Sequence, residues 1–136
     1  MRVDSARKWI RQNLPRLQKR FKLEDWELTV EVTKSISDDE DESRVAICQP
    51  NCDYQFALID IGVENIGSNN ELEMILCHEL LHCVLSPIDQ IRDLMAESDN
   101  ELAKSIFYRF YYSTIERTVR NLELILNLGI KSAKIV

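Results

Sequence analysis

From about Asp4 to Lys22 the apolar residues recur at helical spacing, with Trp9, Ile10, Leu14, Leu17 and Phe21 along one stripe. Asp4 or Ser5 supplies a cap, and Pro15 inside the stripe predicts a bend or a split. The period then changes to two. Trp26, Leu28, Val30 and Val32 alternate with Glu27, Thr29, Glu31 and Thr33, the pattern of a half-buried strand. Arg44–Gln49 and Tyr54–Ile61 read as a β-hairpin turning at Pro50-Asn51, with Ala57, Ile59 and Ile61 on one face and Gly62 ending the second arm.

Ser68-Asn69-Asn70-Glu71 forms a capping box ahead of a helix from about Asn69 to Leu85. Leu72, Met74, Ile75, Leu76, Leu80, Leu81, Val84 and Leu85 make that helix apolar nearly all round, which predicts a buried central element. Ser86-Pro87 ends it and starts a short helical piece carrying Ile88, Ile91, Leu94 and Met95. Capping boxes at Ser98–Glu101 and Ser113–Glu116 predict two further starts. The last leads into Val119, Leu122, Leu124, Ile125 and Leu126, with Gly129 as its stop. The predicted fold is α+β: a small, mostly antiparallel three-stranded sheet packed on an N-terminal helix and a central helix, followed by C-terminal helices.

A chain of 136 residues suits a single domain spanning 1–136. The formal net charge of −6 argues against a nucleic-acid partner, which needs a positive face. No run reaches transmembrane length, and the start of the chain lacks the apolar core of a signal peptide. The expectation is therefore a cytoplasmic protein without a membrane partner. The acidic run Asp38–Glu42 belongs in a solvated loop, and the basic residues of the first helix form a solvated face. Without a secretory signal, Cys48, Cys52, Cys77 and Cys83 are expected as thiols. Cys77 and Cys83 are six residues apart on one helix and cannot bridge each other.

The central helix carries the chemistry. His78-Glu79-Leu80-Leu81-His82 reads H-E-x-x-H, and positions i and i+4 share a helical face. His78 and His82 can point two imidazoles at one ion. Glu79, rotated by about 100°, reaches a metal-bound water rather than the metal. Zn2+ suits such a site: it takes neutral imidazoles and, in catalytic sites, keeps one position open for water. It acidifies that water, and the neighbouring carboxylate removes the proton. His78 and His82 are the only histidines of the chain, so a third protein ligand must be a carboxylate or a cysteine.

With H-E-x-x-H on a central helix, the chain resembles the zincin metallopeptidases. It is most similar to their smallest members, the minigluzincins and compact phage- or mobile-element-encoded metallopeptidase-like proteins. The resemblance rests on Asp25-Trp26 entering the first strand, the Ala57-x-Ile59-x-Ile61 strand, the motif helix and a Glu-bearing C-terminal helix. It implies a zinc-dependent peptidase acting on peptides or proteins, with Glu79 as catalytic base. It also implies a third ligand from a glutamate on a later helix, which suggests Glu116, with Glu97 and Glu101 as alternatives and Asp89 as a lesser one. The family resemblance further implies substrate binding along the sheet edge and an oxyanion donor, a role left to Tyr108, Tyr111 or Tyr112. The metzincin pattern is absent, since no glycine and third histidine follow the motif.

Two other classes of function fit the same residues. Cys48, Cys52, His78 and His82 could close a structural, non-catalytic zinc site. A partner-binding protein could also keep a zincin fold without its chemistry.

Overall fold

The structure is a computed structural model that describes residues 1–36 and 44–135, the side chains of Gln90 and 123–135 excepted. The acidic run Asp38–Glu42 and the side chains of Leu124, Ile125 and Leu126 lie outside the described residues. The elements run α1 (Val3–Arg20), β1 (Glu27–Thr33), β2 (Ala46–Asn51), β3 (Phe56–Gly62), α2 (Asn69–Ala96) and α3 (Glu101–Ile135). They group into two compact units, Met1–Val84 and Leu85–Val136. No helix among the described residues is long and apolar enough to cross a membrane.

The first unit is α+β, as its periodicities imply, but its sheet is mixed rather than mostly antiparallel. The strand order is β1-β3-β2. β2 pairs antiparallel with β3, from Ala46 opposite Ile61 to Asn51 opposite Phe56. β1 runs parallel to β3, with Val30 opposite Ile59. The physical reason lies in the hairpin arms. Pro50 falls inside β2 and cannot donate to a ladder, which suits an edge strand. β3 buries Ala57, Ile59 and Ile61 almost completely and takes the centre. β1 then flanks β3 on its open side. With Pro50-Asn51 inside the strand, the turn shifts to residues 52–55, where Gln55 adopts a positive φ of 54°. Gly62 closes β3 because a Cβ there would stand 2.9 Å from the Ile36 backbone nitrogen.

α1 lays Ala6, Ile10 and Leu17 into the core. It starts at Arg2 rather than at an Asp4 or Ser5 cap, and Asp4 instead places its charge in the first turn, favourable to the helix dipole. Pro15 does not split it. Ile10 and Leu17 lie buried on either side of Pro15, and Pro15 itself is exposed. The turn after α1 is tied by Gln18, whose side-chain amide donates to the carbonyls of Leu23 (3.2 Å) and Trp26 (3.1 Å).

The capping box at α2 forms with one substitution of partner. The Glu71 N–H donates to Ser68 Oγ at 3.2 Å, while the Glu71 carboxylate accepts from the Gly67 N–H at 2.8 Å instead of that of Ser68. Leu72, Leu76, Leu80 and Cys83 then form one buried stripe in the same core as Val32, Ala57, Ile59 and Ile61. The opposite positions Met74 and Val84 are exposed, so α2 is one-sided rather than buried all round. It also continues through Pro87 to Ala96 instead of ending at Ser86.

In the second unit, α3 is one continuous helix. Its cap is Asn100, whose Oδ1 accepts from the Ala103 N–H at 3.0 Å, and not Ser98. No start occurs at Ser113 and no stop at Gly129. Both positions hold residues that a helix interior tolerates at modest cost.

Candidate metal centre

The core stripe of α2 decides where the motif faces. With Leu76 and Leu80 turned into the core, residues two positions on point to the far side of the helix, about 160° away. His78 and His82 occupy those positions and are half-buried. Their ring centroids stand 5.1 Å apart with the planes inclined at 64°. Two imidazoles bound tetrahedrally at Zn–N of about 2.0–2.1 Å have centroids roughly 5 Å apart, the separation this pair shows. Glu79, between the core stripe and the histidine face, is buried at 7% exposure. A carboxylate is rarely that buried without a polar or ionic task.

Glu101 pairs with Lys104 at 3.6 Å, one helical turn away. Glu97 lies exposed in the turn after α2, its N–H donating to the Leu94 carbonyl at 3.3 Å. Asp89 acts on Arg92: burial works to lower the Arg92 pKa, but Asp89, Tyr112 and Asp93 outweigh it and raise it above the ordinary value. Glu116 is exposed on α3. His78, His82 and Glu116 form a donor set, two imidazoles and a carboxylate, that could hold a metal ion. Zinc takes donor sets of this kind, two imidazole nitrogens and a carboxylate oxygen.

Cys48 and Cys52 do not join the histidines in such a set among the described residues. Cys48 Sγ lies instead 3.6 Å from Cys83 Sγ. The sequence gives little warning of this contact, because the two residues sit on different elements whose packing no local pattern reveals. Of the tyrosines, Tyr111 differs from Tyr108 and Tyr112. It is buried, and its hydroxyl has no hydrogen-bond partner among the described residues.

No known protein family, curated protein or solved structure matches the chain.

Proposed function

We propose that the chain is a zinc-dependent peptidase of the zincin type, with His78, His82 and Glu116 as zinc ligands and Glu79 as general base. The observation that carries this reading is the histidine pair, presented on one helical face at the spacing of a shared ion, beside a buried glutamate. A bound zinc ion supplies Lewis-acid polarisation of the scissile carbonyl and makes a water acidic enough to react near neutral pH. Glu79 takes the proton from that water and passes it to the departing amine. His78 and His82 are set in register by the turn of α2 between them, and Leu76 and Leu80 fix the rotation of that helix against the sheet. The oxyanion donor in this scheme is one of Tyr108, Tyr111 and Tyr112.

The test compares wild type with Glu79→Gln, by metal analysis and by hydrolysis of a mixed peptide library. The expected result is unchanged zinc content with hydrolysis reduced by about 10²–10⁴-fold, the usual contribution of a positioned general base. Undiminished hydrolysis by Glu79→Gln would remove Glu79 from the mechanism. Zinc bound by a wild type that cleaves nothing would favour the structural or partner-binding reading.

A further inference from the structure

Cys48 and Cys83 touch within the first unit, at the core face of α2. Cys48 comes from β2, half-buried on the sheet edge, and Cys83 from α2, buried at 1% exposure. The residues are 35 positions apart, their sulfurs are 3.6 Å apart, and neither is in a disulfide.

We propose that Cys48 and Cys83 are a redox pair, in which a hydroperoxide oxidises Cys48 and Cys83 closes a disulfide that ties β2 to α2. The inference does not rest on the metal reading. Cys48 is the entry point because it is the more accessible of the two, on a strand with a neighbour on one side only. Its thiolate attacks the peroxide oxygen; the O–O bond breaks, the sulfur becomes a sulfenic acid, and water or an alcohol leaves. The Cys83 sulfur then attacks Cys48 Sγ. An S–S bond forms, the S–O bond breaks, and the hydroxyl departs as water with the Cys83 proton. The sum is two thiols oxidised by two electrons and one peroxide reduced.

The geometry favours closure over further oxidation. The sulfurs must approach by only about 1.5 Å to reach the S–S bond length of about 2.05 Å. Side-chain rotation and a small shift of the edge strand can share that movement, since β2 is hydrogen-bonded to β3 alone. The resolving thiol is already in contact, so the sulfenic acid meets sulfur before it meets a second peroxide. Cys77 cannot substitute for Cys48, because six residues of helix separate it from Cys83. The cross-link closes a 35-residue interval of the chain and adjoins His82, so oxidation locks the strand to the helix that bears the histidines.

The test treats the full chain with hydrogen peroxide at one equivalent, followed by intact-mass measurement and peptide mapping without reduction. The expected result is a loss of two hydrogens, a Cys48–Cys83 cross-linked peptide, reversal by dithiothreitol, and an apparent Tm higher by about 10 °C. Cys52→Ser with Cys77→Ser leaves the cross-link intact, and Cys48→Ala abolishes it. Because Cys83 is buried and its replacement can cost folding, Cys48→Ala is the diagnostic variant. A cross-link through Cys52 or Cys77, oxygen addition at Cys48 without a cross-link, or no reaction of Cys48 would each overturn the proposal.

Discussion

A buried hydroxyl without a partner costs about 1–3 kcal/mol, and Tyr111 carries one among the described residues. Its ring is well held: it stacks on Phe107 with centroids 5.7 Å apart, and the Arg92 guanidinium lies 5.7 Å from its centroid. Tyr111→Phe keeps both ring contacts and deletes only the unpaired oxygen. The expected outcome is a melting temperature equal to or above wild type, the opposite of what removing a paired hydroxyl does. If the hydroxyl is the oxyanion donor, kcat also falls by about 10²-fold with zinc content unchanged. Thermal melts and peptide turnover on the same preparation read both effects. A drop in stability would mean that the hydroxyl is satisfied in the native protein. Unaltered turnover would leave the oxyanion role to Tyr108 or Tyr112.

At the scale of elements, the two prolines within helices mark where local rules lose to packing. Pro15 removes one backbone N–H from α1 and crowds the carbonyl of Arg11, yet the helix runs on to Arg20. Ile10 and Leu17 anchor the helix on both sides of it, and burying each is worth about 1.5–3 kcal/mol, enough to offset a helix defect near 3 kcal/mol. Pro15 is exposed, so Pro15→Ala gives up no core contact. It restores the missing donor but returns some freedom to the unfolded chain, worth about 0.4–1 kcal/mol. The net expectation is a gain of about 2–2.6 kcal/mol, read as a shift of the urea midpoint without a change in slope. The same competition explains what was legible beforehand. The alternation of Leu28, Val30 and Val32 and the buried set Ala57, Ile59 and Ile61 identify β1 and β3 because burial itself sets that period. The helical register of His78 and His82 was equally readable. Parallel pairing of β1 with β3 was not, since strand order is decided by tertiary contacts and by the edge preference of Pro50. Ser98 and Ser113 satisfy the capping-box pattern, but Asn100 caps α3 and the helix absorbs Ser113, because a cap is decided by where the chain turns and not by the four-residue pattern alone. The Cys48–Cys83 contact is likewise a product of the packed core.

At the scale of the whole molecule, buried apolar residues are unevenly shared between the two units. The first unit holds one cluster built from α1, β1, β3 and α2, with Leu17, Ile59, Ile61, Leu72, Leu76 and Leu80 fully enclosed. The second buries Tyr111, Ile115 and Val119 but leaves Leu94, Leu102, Ile106 and Phe110 exposed. Local opening free energy follows buried contacts, so backbone amides of β3 should exchange with solvent only through global unfolding, while those in the first turns of α3 should exchange through smaller openings. Hydrogen exchange followed by mass spectrometry checks this ranking in the metal-free chain. Zinc then adds a discriminating arm. A ligand that binds only the folded state stabilises it by about 2.7 kcal/mol at a hundredfold excess over its Kd, which corresponds to roughly 100-fold slower exchange wherever opening breaks a metal bond. With His78, His82 and Glu116 as ligands, zinc should slow exchange around residues 78–82 and around residue 116 in wild type. In Glu116→Ala the effect near residue 116 should vanish and zinc affinity should fall. Full zinc affinity in Glu116→Ala, with protection confined to α2, would remove Glu116 from the ligand set and leave the histidine pair to recruit its third donor elsewhere.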